Sequence, residues 1–220
     1  MISHTEEDYL KALFRLVSGK QGKQEAGTNA LADLLSLKPA SVNNMLKKLR
    51  KKELIDYEKY GKISFTDKGR QIALLVVRKH RLWETFLVDK LGFSWDRVHD
   101  IAEQLEHIRS DELVEKLDWF LGHPEYDPHG DPIPRSDGST PTTPSAVLSS
   151  MQKGDVCKVM MVKDTSAAFL QYLERLSIHV GTCVSVMDKV SFDNSLVIEV
   201  DGKHHTVSQK VADNLYVSYC

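Results

Sequence analysis

TNALADLLSLKPASVNNMLKKLRKKELIDYEKYGKISFT, residues 28–66, decides the fold of the N-terminal part of the chain. Thr28 can N-cap a short helix, and after a turn Pro39 stands at a natural first position for a second one. Two short helices with a tight turn, the second rich in lysine, read as a helix-turn-helix. Val42, Leu46 and Leu49 fall on one face of the second helix, while Ser41, Asn43, Asn44, Lys47, Lys48 and Lys51 project from the others. Small polar side chains reach base edges or phosphates, and lysines meet phosphates. Together with Thr28 and Pro39 these residues form the candidate DNA-binding set. LIDYEKYGKISFT then alternates like two strands around Tyr60-Gly61-Lys62, a hairpin in the place of a wing. A charged surface helix beside an ordinary hairpin shares parts of this pattern. The order helix, helix, basic helix, basic-tipped hairpin is more specific.

Upstream, His4 to Val17 has helical spacing, with Leu10, Leu13, Phe14 and Val17 on one face and Glu6, Glu7 and Asp8 in the first turn, where the helix dipole favours acids. The loop GKQGKQEAG follows. Downstream, Thr66 or Asp67 caps a long helix through DKGRQIALLVVRKHRLWETFLVDKL, apolar nearly all round in its middle. Ser94 is read as the N-cap of the next helix, and DELVEKLDWFL is a third. Their apolar content exceeds what a solitary segment of this size would bury, which implies a helical dimer interface.

These helices also carry His80, Glu84, His99, Glu103, Glu106 and His107. His80 and Glu84 are four apart, and the other four run i, i+4, i+7, i+8, so each group forms one stripe. Imidazole and carboxylate suit divalent Mn, Fe, Co, Ni or Zn. Eight residues of helix rise roughly 12 Å whereas metal–ligand bonds are about 2 Å, so His99 and His107 do not easily share one ion. Either there are two metal sites, or part of the stripe is solvated surface. Each residue alone reads as an exposed helix charge; the collection points to metal.

Hydrophobic residues make up 41% and charged residues 27%, the balance of a soluble globular protein. No apolar run approaches the ~18 residues that span a bilayer, and the N-terminus has no signal-peptide core, so no membrane partner and a cytoplasmic location are expected. Cys157, Cys183 and Cys220 lie far apart with no CxxC pair, and are expected as thiols, Cys157 and Cys183 as small core residues. Net charge is −2 but unevenly spread: residues 1–75 hold 14 Lys+Arg against 9 Asp+Glu, and residues 76–140 hold 8 against 14. A basic head and an acidic middle suggest an anionic polymer for one and cations for the other.

HPEYDPHGDPIPRSDGSTPTTPS, residues 123–145, is a surface loop running into a linker. Beyond it GDVCKVMMV, TCVSVMDKV, SLVIEV, HHTVS and LYVSY read as strands broken by the short helix AAFLQYLERL, which predicts a small β-barrel. His179, His204 and His205 are read as surface histidines. The fold class is therefore mainly α with a β-rich C-terminal domain. The expected division is a winged helix-turn-helix over 1–75, a helical metal-binding and dimerisation domain over 76–138, a linker over 139–150 and an SH3-like domain over 151–220.

Lys79-His80-Arg81-Leu82-Trp83-Glu84, Val98-His99-Asp100, Leu105-Glu106-His107, and His123-Pro124 through Asp131-Pro132-Ile133-Pro134 resemble the DtxR/MntR family of metal-dependent transcriptional repressors. The resemblance covers essentially the whole chain, including a C-terminal FeoA-type, SH3-like domain. It implies a homodimer that binds a double-stranded DNA operator, and two metal sites. A primary site falls on Asp8, Glu103, Glu106 and His107. An ancillary site falls on His80, Glu84 and His99, with Asp127 and His129 from the loop and Asp164 from the C-terminal domain. The iron-type members of the family carry Met and Cys where this chain has Asp8 and Glu103. Hard carboxylates there favour Mn(II) and tolerate Fe(II), so Mn2+ (or Fe2+) is the expected cofactor. Members with a closely bridged metal pair add a carboxylate three residues after the Asp. Here that position is Lys11, which implies two separated sites.

The resemblance implies repression of metal-uptake or homeostasis genes, without enzymatic activity and without a small organic substrate. Two other readings use the same residues. A winged-helix regulator responding to a non-metal signal would explain the head and leave the stripe to chance. A carboxylate-bridged di-metal enzyme would ask for two Glu-x-x-His motifs, which the chain does not have.

Overall fold

The computed structural model describes residues 2–18, 25–57, 62–142 and 146–220. Two compact units interleave along the chain. One comprises Met1–His80, Leu105–Arg109 and Pro134–Ser139; the other comprises Arg81–Gln104, Ser110–Ile133 and Thr140–Cys220.

The first unit opens with α1 (His4–Ser18). Its start is a reciprocal cap that the sequence reading missed: the Ser3 hydroxyl accepts the Glu6 N–H at 3.3 Å, and the Glu6 carboxylate accepts the Ser3 N–H at 2.9 Å. β1 (Ala26–Gly27), α2 (Thr28–Leu34), α3 (Pro39–Lys51), β2 (Ile55–Tyr57) and β3 (Lys62–Phe65) follow. The helix-turn-helix and both wing strands stand as expected, with Ile55 opposite Phe65 and Tyr57 opposite Ile63. The wing's expected tip, Tyr60-Gly61, lies outside the described residues, as do residues 19–24 of the first loop. A third strand was not foreseen: β1 pairs with β3 through Ala26 and Ile63. Pro39 is the first residue of α3, with Lys38 as its cap. Thr28 is not a cap. Gly27 takes that position in extended backbone, because β1 runs straight into α2 and makes Thr28 the first helical residue. One apolar core, with Leu10, Leu13, Leu31, Val42, Leu46, Leu49, Leu54 and Ile63 all but fully buried, gathers α1, α2, α3 and the wing.

The long helix α4 (Asp67–Asp89) begins where Thr66 Oγ1 accepts the Gly69 N–H at 3.1 Å, the expected cap. The next helix, α5, is shorter than its spacing suggested. It runs from His99 to Leu105 only, and Ser94 opens a turn instead, accepting the Arg97 N–H at 3.0 Å. Trp95 explains the difference: it is buried in the core of the C-terminal sheet, which bends the segment away from helical geometry. Glu106 and His107 consequently sit in a turn after α5, so the stripe is not one continuous helix face. α6 (Asp111–Phe120) is capped by Ser110, and Val114 and Leu117 pack with Leu82 and Ile133.

The C-terminal part holds β4 (Ala146–Val147), β5 (Val156–Val162), α7 (Ala167–Arg175), β6 (Cys183–Lys189), β7 (Leu196–Val200), β8 (Lys203–Val207), α8 (Gln209–Ala212) and β9 (Leu215–Tyr219). All five expected strands and the helix are present. They form one antiparallel sheet in the order β4-β9-β5-β6-β7-β8. The expected barrel is not closed. β4 and β8 are its two edges, unpaired with each other among the described residues, and β4 is only two residues long, too short to seal a seam. Register shifts in β5 and β6 coil the sheet around a core that includes Leu148, Leu170, Leu173 and Ala212.

Candidate metal centres and nucleic-acid interface

Two clusters of ionisable side chains stand out, one in each unit. In the first, Asp8, Glu106 and His107 each offer a ligand atom, all within 4.8 Å of one another. α1 supplies Asp8, and the turn after α5 supplies the other two. Glu106 is fully buried. Its Oε2 takes both the Lys11 ammonium at 2.7 Å and His80 Nδ1 at 2.6 Å. Its Oε1 is buried with no hydrogen-bond partner. A buried carboxylate oxygen left in that state is costly, and a cation is what satisfies it.

His107 is oriented from behind. Its Nδ1 donates to Glu7 at 2.6 Å, which leaves Nε2, 3.1 Å from Asp8, as the ligand-side nitrogen. A carboxylate behind an imidazole in this way fixes the ring and raises its basicity. The His4 ring stacks on it with centroids 4.4 Å apart and planes 4° off parallel. Neither Glu7 nor His4 was singled out from the sequence. The acidic first turn was the visible signal for Glu7, but on a helix two adjacent carboxylates point in different directions, and only the fold shows that both reach His107.

In the second cluster Glu84, Asp127 and His129, all buried, again present ligand atoms within 4.8 Å. His129 Nε2 donates to the Trp95 carbonyl at 2.9 Å, leaving Nδ1 toward Glu84 at 3.7 Å and Asp127 at 3.9 Å. The other Glu84 oxygen meets His99 Nδ1 at 3.2 Å, and His99 Nε2 lies 3.4 Å from Glu103. Asp127 Oδ1 accepts the N–H groups of His129 and Asp131, and Arg81 lies 3.6 Å from its second oxygen. Burial, with Asp131 and Glu84 nearby, pushes the Asp127 carboxyl up to about 7. Burial opposes charge on His129, but the bond to Glu84 and the charge of Asp127 outweigh it and push the imidazole up to about 9. The cluster thus carries its own compensating charge as a proton on His129. Asp164 lies in the turn before α7, where it accepts the Ser166 N–H at 2.9 Å.

The donor sets fit a hard divalent ion. Each offers carboxylate oxygens and one imidazole nitrogen whose second nitrogen is already used as a donor, and no sulfur is among them. The 4.8 Å spread closes by modest side-chain rotation onto bonds of about 2.0–2.2 Å.

On α3, Ser41, Asn44, Lys47, Lys48 and Lys51 are exposed, as are Pro39 and Arg50, the last not foreseen. Asn43 is half-buried and accepts the Tyr57 hydroxyl at 3.1 Å, tying α3 to the wing. Thr28 Oγ1 is buried without a hydrogen-bond partner at the head of α2. Beyond α3, Lys52 reaches back 2.7 Å to Glu6 on α1.

A winged helix-turn-helix whose first helix carries part of an acid–histidine cluster defines a class: DNA-binding regulators that answer to a metal ion. Comparison with known proteins places the chain within that class. Residues 1–63 match the "Iron dependent repressor, N-terminal DNA binding domain", residues 66–135 the "Iron dependent repressor, metal binding and dimerisation domain", and residues 147–219 the "FeoA domain". The chain is 37% identical over 120 residues to an uncharacterised helix-turn-helix transcriptional regulator of Methanocaldococcus jannaschii, over 54% of this chain and 94% of that protein. It is 31% identical to the diphtheria toxin repressor of Corynebacterium jeikeium over 68% of this chain and 61% of that protein. A solved manganese-dependent transcriptional repressor in complex with manganese superposes with a TM-score of 0.85 at 34% identity, over 98% of this chain and all of that one. The chain belongs to the DtxR/MntR family of metal-dependent transcriptional repressors.

Proposed function

We propose that this protein is a cytoplasmic, homodimeric repressor that binds a double-stranded operator when Mn(II) is sufficient, tolerates Fe(II), and switches off metal-uptake or homeostasis genes. The observation that carries the metal assignment is the buried, unpartnered Oε1 of Glu106 beside Asp8 and His107. Asp8, Glu106 and His107 are the activating ligands, with Glu7 holding His107 in its tautomer; Glu84, Asp127 and His129, with His99 on Glu84, form the ancillary set. A bound divalent ion supplies the charge neutralisation that lets these carboxylates converge. Asp8 then ties α1 to the turn that holds Glu106 and His107. Lys11, with its ammonium on Glu106 Oε2, repels a second divalent ion beside the first and supports a single-ion activating site.

The solved relative complexed with manganese supports Mn(II), and the matched iron-dependent repressor domains support tolerance of Fe(II). Leu113, Trp119 and Phe120, exposed on α6, supply an apolar face for a second copy. Two recognition helices of a dimer enter successive major grooves about 34 Å apart. Ordering α1 against its turn favours that arrangement, and a coupling of roughly 1–3 kcal/mol between metal and DNA is typical.

The test is anisotropy on a DNA fragment from upstream of the protein's own gene or a metal-transporter gene, titrated with Mn(II), anaerobic Fe(II) and Zn(II) against a chelator control. Affinity rises with Mn(II) and collapses with chelator, and His107→Ala and Asp8→Ala both lose the metal-stimulated part. Binding that ignores metal, or persists unchanged in both variants, overturns the assignment.

A further inference from the structure

The sequence reading placed Cys183 in the core. In the structure it is exposed at the start of β6, because its register partner on β5 is the outward-facing Lys158. Cys220, just beyond β9, is exposed too, and its N–H reaches the Val156 carbonyl at 3.2 Å. β6 and β9 flank β5 on opposite sides, so the two thiols converge over one strand. Their sulfurs are 3.7 Å apart. The third cysteine, Cys157 on β5, is fully buried, and its thiol donates to the Val184 carbonyl.

We propose that Cys183 and Cys220 form a reversible dithiol–disulfide site that is oxidised by hydroperoxides. An S–S bond of about 2.05 Å asks the sulfurs to close most of 2 Å; since β6 and β9 lie two strand spacings of about 4.8 Å apart, the Cys220 backbone must leave its hydrogen bond to the Val156 carbonyl for the bond to close. Desolvation and the hydrogen bond to Cys183 raise the Cys220 thiol, with Lys158 working against them. Cys183, whose register partner on β5 is Lys158, is assigned as the attacking sulfur. The Cys183 thiolate attacks the peroxide: an S–O bond forms, the O–O bond breaks, and the departing oxygen takes a proton as alcohol or water. The Cys220 sulfur then attacks the sulfenic sulfur; the S–S bond forms, the S–O bond breaks, and hydroxide leaves as water with the second proton. Two sulfurs lose two electrons and one peroxide gains them.

Once joined, the pair closes a loop that holds β6, β7, β8, α8 and β9. An exposed disulfide formed with some strain is readily reduced again, which makes the site reversible.

The full-length protein, held in chelator so that no metal participates, is treated with hydrogen peroxide under native conditions. Intact mass falls by two hydrogens, a non-reducing peptide map joins the Cys183 and Cys220 peptides, and dithiothreitol restores both. Cys157 becomes alkylatable only after unfolding. Cys183→Ser and Cys220→Ser, both at exposed positions, each abolish the mass loss. Added oxygen as the end product in the wild type, a bond to Cys157, links between molecules only, or no change in thiol content would each overturn the proposal.

Discussion

Glu6 shows how one residue carries a connection. It is 3% exposed although it sits in the first turn of a surface helix. The same carboxylate oxygen closes the cap on Ser3 and takes the Lys52 ammonium, so the start of α1 is pinned to the residue that follows α3. Burial raises its carboxyl, but the bonds from Lys52 and Ser3 outweigh this and hold it below the ordinary carboxylate range. Asp8, two residues on, belongs to the candidate metal cluster. Glu6→Gln should destabilise the protein by about 1–3 kcal/mol, the range for a buried hydrogen bond to a charged group. Lys52→Met should cost less, because the Lys52 side chain is 41% exposed and its charge is screened. Urea unfolding of both variants checks the order. Equal and negligible losses would mean that the pin is decorative.

At the scale of elements, the loop Asp127–Gly130 is held against β5. Val162 donates to the His129 carbonyl at 2.9 Å, and Gly130 follows with φ +85°. A Cβ at Gly130 would lie 2.0 Å from the Met160 carbonyl oxygen, so both conformation and clearance demand glycine. Gly130→Ala should cost roughly 2–4 kcal/mol, combining backbone strain with overpacking. Gly138→Ala, at nearly the same φ but 3.6 Å from its nearest neighbour, should cost only the strain, and the two urea midpoints separate the contributions. Apolar spacing made α1, α3, α4 and the C-terminal strands legible, because burial of one face imposes a period that the residues display. The end of α5 was not legible. Trp95 leaves the helical pattern for a core built by strands more than sixty residues away, and no local period records that. Thr28 misled for a related reason: β1 is two residues long and its pairing with β3 has no pattern of its own.

For the whole molecule, charge and the histidines and carboxylates between residues 80 and 107 pointed to a DNA-binding, metal-dependent regulator, a class that the family matches bear out. What they left open was grouping. Side chains that share a stripe on paper are divided by the turn after α5, while Glu84, Asp127 and His129 come from segments with no common spacing. Closure of the C-terminal sheet was equally hidden, since it depends on the length of β4 rather than on alternation. The His129 arrangement has a kinetic consequence. Its ring lies in the acidic cluster while its carbonyl carries the β5 amide of Val162, so the loop cannot swing out without freeing that amide to water. Deuterium uptake at Val162 is therefore a clock for the opening of the buried cluster. In saturating Mn(II) it should slow by at least an order of magnitude, with amides of the α3 recognition helix as the internal comparison. Uptake at Val162 that is indifferent to Mn(II) would mean that the loop opens without the ring. A single backbone proton thus timestamps an event that takes place among side chains.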